Sequence, residues 1–205
     1  MRALIVTPLA SQQDLRWAQA GDLVLCADGG YEASLALGLK PDRLIGDMDS
    51  RSADEQVCCP VSRYPVMKDE TDTILCLQEG MAMGVTEFVV LGGLGGRLDH
   101  TYANIQAMAY GLEQGIAVTL TGQNSMARLL EPGEYRFPCR KGEKVSLFAY
   151  TPVVTGLTLR GMIYPLEEAV LEANFPLGVS NGVSSKEGTI SFRTGRLLAF
   201  FVPED

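Results

Sequence analysis

From Met1 to about Gly122, short apolar runs alternate with segments of helical period. Ala3-Leu4-Ile5-Val6 and Leu23-Val24-Leu25-Cys26-Ala27 are unbroken apolar runs, as expected of strands covered on both faces. Tyr31 to Leu37 reads as a helix stopped by Gly38, with Pro41 just beyond. Leu44-Ile45 is a brief strand. From Thr71 to Met83 the apolar residues Ile74, Leu75, Leu77, Met81 and Ala82 form a helical stripe that ends at Gly84. Phe88-Val89-Val90-Leu91 predicts the next strand, Asp99 to Glu113 the next helix, and Ile116-Ala117-Val118-Thr119-Leu120 the last strand of this half. Such alternation predicts an α/β domain, a mostly parallel Rossmann-like sheet flanked by helices on both faces.

After Gly122 the pattern changes. Pro132-Gly133, Pro138, Lys141-Gly142, Pro152, Gly156, Gly161 and Pro165 punctuate short runs rich in Val, Thr, Leu and Tyr. Turn signals this frequent predict a smaller antiparallel, β-sandwich-like domain. Thr189-Ile190-Ser191-Phe192 and Leu197 to Val202, separated by Thr194-Gly195, read as a closing hairpin. The expected domains are residues 1–122 and 132–205, with the junction at 123–131.

A chain of 205 residues with 46% apolar and 20% charged residues can bury a real core. Its formal charge of −8 argues against nucleic acid as a partner, which calls for a basic face. The amino terminus has too short an apolar run for a signal peptide, and the longest uncharged stretch, Val145 to Leu159, is too short and polar to span a bilayer. The expectation is a cytoplasmic protein with no membrane partner. The five cysteines, Cys26, Cys58, Cys59, Cys76 and Cys139, are odd in number and lack a CxxC pair, so they are expected to be reduced.

The chemistry gathers in four acidic loops: Asp28-Gly29-Gly30, Gly46-Asp47-Met48-Asp49-Ser50, Lys68-Asp69-Glu70-Thr71-Asp72 and Gly95-Gly96-Arg97-Leu98-Asp99-His100. Singly, each has a plain reading. Asp-Gly-Gly is a turn, Ser50 caps a helix from Arg51, Asp69 caps the helix opened by Thr71 and Asp72, and the lone His100 is a hydrogen-bonding residue. Together they stand at successive strand ends, where the loops of an open α/β sheet converge on one crevice. Asp47 and Asp49, two apart, can reach one cation, and clustered carboxylates with hard oxygen ligands favour Mg²⁺ carrying phosphates. Lys68 offers a point charge, and Arg97 offers bidentate hydrogen bonds, to phosphate oxygens. The Gly92-Gly93-Leu94-Gly95-Gly96 run matches neither the dinucleotide nor the P-loop fingerprint.

In their order these motifs resemble the thiamine pyrophosphokinase family: Ala27 to Gly30, Pro41-Asp42 with Gly46 to Ser50, Lys68 to Asp72, and Gly95 to His100 followed by Asn104. Gly161-Met162-Ile163-Tyr164-Pro165-Leu166 and Ser180-Asn181 match its later motifs, so the resemblance covers nearly the whole chain. It implies an ATP-binding catalytic domain, a β-rich thiamine-binding and dimerisation domain, and a homodimer that transfers pyrophosphate from ATP to thiamine and releases AMP. Asp47, Asp49 and Asp72 would then hold Mg²⁺ and the triphosphate, with Arg97 and Asp99 in the reaction. Asp28, Gly29, Gly30, Ser50, Lys68, Asp69, Thr71, His100 and Asn104 would line the nucleotide site, and Ser180 and Asn181 would lie near thiamine. Met48 stands where the family commonly has Phe, and Trp17 is the only tryptophan, so an aromatic stack on thiamine needs another residue. An ordinary kinase, a pyrophosphokinase for another alcohol, or a non-catalytic nucleotide and metal sensor are the alternatives.

Overall fold

The computed structural model describes residues 1–48, 57–138 and 142–203. The chain divides into two compact units, Met1–Asn124 and Ser125–Asp205. The first is built on β1 (Arg2–Val6), β2 (Leu23–Ala27), β3 (Arg43–Gly46), β4 (Val61–Arg63), β5 (Glu87–Leu91) and β6 (Ala117–Gly122). Neighbouring strands are parallel, in the order β6-β5-β1-β2-β3-β4. The chain starts in the middle, steps outward through β2, β3 and β4, then returns to the far side of β1 for β5 and β6. The reversal falls between β1 and β5, the kind of switch point where such a sheet opens a crevice at its carboxyl edge.

Three helices, α1 (Gly30–Ala36), α2 (Asp72–Ala82) and α3 (Leu98–Glu113), and a 3-10 segment, Gln12–Trp17, cover the sheet. Successive residues of a strand point to opposite faces. Leu4, Val6, Val24, Cys26, Leu44, Val89 and Leu91 form one face, packed with Tyr31 of α1 and with Trp17. The other face receives α2 and α3 through helical glycines. A Cβ on Gly80 would lie 2.5 Å from the Phe88 ring, and one on Gly111 2.6 Å from Val118. The central strands are therefore buried on both sides, as their unbroken apolar runs demand. Each fully buried Leu, Ile or Phe there contributes about 1.5–3 kcal/mol. β4 is different: a short edge strand with Val61 and Arg63 exposed, it lacks the apolar run that marks its neighbours.

The second unit holds β7 (Ser125–Leu130), β8 (Gly133–Pro138), β9 (Lys144–Ala149), β10 (Val153–Arg160), β11 (Leu166–Glu172), β12 (Gly178–Gly182), β13 (Glu187–Phe192) and β14 (Leu197–Val202). They form two antiparallel arrays, β12-β9-β14-β7 and β11-β10-β13-β8. One core draws on both: Leu147, Leu197 and Ala199 from the first array, Leu157, Ile190 and Phe192 from the second.

One strand is added here and one expectation changes. The segment 123–131 carries β7, entered through Gln123 and Asn124 at φ of 47° and 64°, a pair of left-handed residues typical of a tight two-residue turn. And β13 and β14 are not a hairpin, because they belong to different arrays. Past Phe192 the chain leaves β13: the Arg193 amide donates to the Thr155 carbonyl at 2.9 Å. Gly195, at φ 86°, sits where a Cβ would lie 2.4 Å from the Val153 carbonyl oxygen. The crossing lets the apolar faces of both strands reach the shared core from opposite sides.

Cys26, Cys58, Cys59 and Cys76 are not in disulfides, and Cys139 lies outside the described residues. Among the described residues, no helix is long and apolar enough to cross a membrane.

Candidate active site

The carboxyl edge of the parallel sheet is assembled by close backbone approach. A Cβ on Gly30 would lie 1.9 Å from the Val6 carbonyl oxygen, so only glycine lets α1 begin against the end of β1. Asp28 takes a left-handed φ of 43°. Its amide donates to the Ile45 carbonyl at 2.9 Å, and its carbonyl accepts from the Tyr31 amide at 3.1 Å. A Cβ on Gly46 would lie 3.0 Å from that of Asp28, so the first and second acidic loops run side by side.

In the second loop Met48 holds φ at 63°, a region that costs an L-residue roughly 1–2 kcal/mol. Its side chain packs on the core face that includes Leu4 and Leu44, anchoring the loop from behind. Asp47, beside it, faces the third loop: its Oδ2 lies 3.7 Å from Lys68 Nζ. The same ammonium donates to Asp72 Oδ1 at 2.8 Å. Two carboxylates from different loops thus meet at one cation, whose side chain is only 12% exposed. Burial works against the Lys68 charge, but Asp72 and then Asp47 outweigh it and hold the ammonium above its usual range.

Asp72 is the first residue of α2, at the positive end of the helix dipole. The cap is Thr71, whose hydroxyl accepts from the Ile74 amide at 3.3 Å. Asp69, expected as the cap, is exposed in the loop ahead of it. Thr71 already occupies the N-cap position, where a side-chain oxygen reaches the first-turn amides.

The fourth loop leaves β5 through Gly92, at φ 72°, where a Cβ would lie 2.4 Å from the Ala10 amide nitrogen. Thr7, just past β1, places its hydroxyl 3.0 Å from the carbonyls of both Leu91 and Gly92. These contacts hold the β1 and β5 ends together at the switch point. Thr101 of α3 clasps Gly95, its hydroxyl accepting from the Gly95 amide at 3.2 Å and lying 3.0 Å from the Gly95 carbonyl. Arg97 is exposed and paired with Asp99, through Nε at 3.1 Å and a terminal nitrogen at 2.6 Å. The Arg97 hydrogen bonds, more than the His100 amide at 3.0 Å, draw the Asp99 carboxyl down to about 2. The His100 side chain lies exposed on the first turn of α3. Asn104, a turn deeper, spends its amide inside the protein. Nδ2 donates to the Gly93 carbonyl at 2.9 Å, and Oδ1 accepts from the Thr73 hydroxyl at 3.0 Å.

In the second unit, Ser180 is exposed at a left-handed φ of 56°, its amide donating to Ser146 Oγ at 2.9 Å. Asn181 is buried. It accepts from the Tyr164 amide at 3.0 Å and donates to the Tyr164 carbonyl at 2.7 Å, clamping the loop that carries Ile163 and Tyr164.

Residues 15–120 match the family model for the thiamin pyrophosphokinase catalytic domain, and residues 134–197 match the model for the thiamin pyrophosphokinase vitamin B1 binding domain. The chain belongs to the thiamine pyrophosphokinase family. It is 29% identical over 177 residues to the thiamine pyrophosphokinase of Bacillus subtilis, covering 83% of both chains. A crystal structure of thiamine pyrophosphokinase from B. subtilis superposes with a TM-score of 0.89 at 25% identity over the whole of each chain. A structure of thiamin pyrophosphokinase from Geobacillus thermodenitrificans gives 0.85 at 25% identity, over 100% of this chain and 99% of that one. Thiamin pyrophosphokinase from Candida albicans, at 17% identity, shares the fold, with a TM-score of 0.82 over 98% of this chain and 88% of its own.

Of the residues expected in a thiamine pyrophosphokinase site, the structure brings Asp47, Lys68 and Asp72 together. It sets Asp28 beside Gly46, and it ties Asn104 to the glycine loop. Asp49 and Ser50 lie outside the described residues. Among the described residues no three carboxylate, thiol or imidazole side chains gather as a metal site; the carboxylate pair is Asp47 and Asp72. Sequence reasoning passed over Thr7, Thr73 and Thr101. Thr7-Pro8 follows the first strand, where a switch point would have directed attention, whereas Thr73 and Thr101 carry no signal outside their tertiary contacts.

Proposed function

We propose that this chain catalyses pyrophosphoryl transfer from ATP to the hydroxyl of thiamine, giving thiamine diphosphate and AMP, with Mg²⁺ as cofactor. The observation that carries the reading is the meeting of Asp47 and Asp72 on one cationic group at the carboxyl edge of a parallel sheet, in a chain of this family. We read the first unit as a doubly wound nucleotide-binding domain and the second as a thiamine-binding sandwich.

The donor set suits Mg²⁺: hard carboxylate oxygens from two loops, facing a position that already accepts a positive charge. Asp47 and Asp72, joined by Asp49, would hold the ion, which when bound neutralises charge on the phosphate oxygens. In the reaction the thiamine oxygen bonds to the β-phosphorus as its bond to the α-phosphate oxygen breaks, with AMP as the leaving group. Lys68 and Arg97 offer charge-assisted hydrogen bonds to the transferring group. Such transition states leave the protein mainly positioning and electrostatic work. Asp99 is a poor acceptor for the hydroxyl proton while Arg97 holds its affinity for protons so low. Its part is to orient Arg97, and the hydroxyl proton leaves to Asp72, the other candidate carboxylate, or to water. Asp28, Gly29, Gly30, Asp69, Thr71 and His100 border the nucleotide on the remaining loops, and Ser180 lies near thiamine with Asn181 supporting it.

A homodimer is part of this reading. Ile163, Tyr164, Val170, Phe175, Leu177 and Val179 are each between 45% and 69% exposed. They lie on or near β11 and β12, each an outer strand of its array. A second copy of the chain is the partner that would cover them.

Incubation with thiamine, ATP and Mg²⁺, with both products identified by mass, tests the reaction. Thiamine diphosphate and AMP are expected. ADP as the first nucleotide product, or thiamine monophosphate, points to the ordinary-kinase alternative, and no turnover to the sensor.

A further inference from the structure

Asn104 stands where three pieces of the carboxyl edge meet. It sits on α3, its amide nitrogen donates to Gly93 in the loop after β5, and its amide oxygen accepts from Thr73 on the first turn of α2. Thr73 directly follows Asp72, whose carboxylate meets Lys68. Gly93 lies in the loop that delivers Arg97. That loop is fixed at its start by Gly92 against Ala10 and near its end by the Thr101 clasp on Gly95. Between those two points, Asn104 supplies the side-chain bond to Gly93. On the α2 side, the Thr71 cap fixes the helix start against its own amides and does not reach the loop after β5.

We infer that Asn104 is a positioning residue for pyrophosphoryl transfer: its amide sets the spacing between the Asp72 carboxylate and the loop that carries Arg97. The inference rests on the proposed reaction, in which those two groups act on one triphosphate. An amide is the side chain the place requires, because it offers one donor to the Gly93 carbonyl and one acceptor to the Thr73 hydroxyl. A carboxylate would keep the second bond and set an anion against the Gly93 carbonyl. Both partners act at a distance from the reacting atoms, and misplacement of catalytic groups by even about an ångström can lower rates by up to about 10²-fold.

Two pairs of variants separate positioning from bulk stability. Asn104→Asp and Thr73→Val each remove one side of the tie with little change of shape. Both should lower kcat by about tenfold, within the range that misplacement can reach, with KM for thiamine nearly unchanged. Thr73→Ser, which keeps the hydroxyl, should restore kcat, and Asn104→Ala should add little to the loss in Asn104→Asp. Amide hydrogen exchange on the protein without substrates gives a second readout. In Asn104→Asp, exchange at residues 93–97 should quicken while amides within β1 and β5 keep wild-type rates. Faster loop exchange with unchanged kcat would mean the tie is only structural, and unchanged exchange would mean the loop does not depend on it; either result overturns the inference. If the wild-type protein forms no thiamine diphosphate, the proposed reaction falls, while the exchange result still decides whether Asn104 holds the loop.

Discussion

At the scale of single residues, the proposed site would depend on charges that cannot be replaced by shape. Asp47→Asn and Asp72→Asn keep volume and hydrogen bonding capacity but remove the anion. Each should lower kcat at least ~10²-fold, in line with the worth of preorganised charge in such sites, with a melting temperature close to wild type; near-normal turnover in steady-state kinetics would move the metal elsewhere. Gly30 makes the opposite kind of demand. Its missing Cβ leaves 1.9 Å between the built position and the Val6 carbonyl, and a backbone oxygen cannot rotate away. Gly30→Ala should destabilise the protein by more than about 2 kcal/mol in denaturant unfolding, the range of overpacked sites, whereas an unchanged midpoint would mean that α1 can slide along β1. The carboxylates were legible in the sequence because polar clusters after apolar runs mark strand-end loops. The duties of the amides and hydroxyls were not. Asn104 reads as one more site-lining residue until its two partners, 11 and 31 positions away, are seen. Asn181 likewise turns inward to Tyr164.

At the scale of elements, the parallel strands announced themselves because burial on both faces leaves no room for polar alternation. β4 and β7 did not. β4 is an exposed edge of three residues, and β7 carries Arg128 outward between buried neighbours. The β13–β14 connection departs from the expected hairpin for a physical reason: a Thr-Gly turn looks the same whether the chain folds back in its own array or crosses to the other. β2 also carries a measurable linkage. Burial raises the Cys26 thiol from 9.0 to about 12, against a lowering hydrogen bond from Ser34. A thiol whose folded affinity for its proton is raised contributes stability that is whole below pH 9.0 and is lost as the pH climbs toward 12. At about 1.4 kcal/mol per unit the loss is bounded near 4 kcal/mol. Unfolding free energy should therefore fall more steeply for wild type than for Cys26→Ala between about pH 9 and 11. Parallel slopes would show that the thiol ionises as readily in the folded protein as in the unfolded one.

At the scale of the molecule, the two units solve their burial problems differently. The first covers both faces of its sheet with its own helices. The second closes one core between two arrays, yet leaves β11 and β12 as outer strands with large apolar side chains beside them, among them Phe175 at 63% and Leu177 at 51% exposed. Outer strands invite pairing with another chain unless they are charged, bulged or covered, and clustered exposed apolar side chains mark association sites. A stable contact between proteins buries about 1,200–2,000 Å² in total, so the joint must draw on side chains from both β11 and β12. The expected species is a homodimer joined through this patch. Phe175→Asp with Val179→Asp sets two carboxylates on each face of the joint, four across the pair, while leaving the inner core of the unit intact. Light scattering should then report the mass of one chain for the double variant and of two for the wild type. Activity should fall with association if thiamine binding depends on the second copy. A wild-type mass of one chain, at a concentration where turnover is full, overturns the dimer and leaves the exposed patch to some other partner.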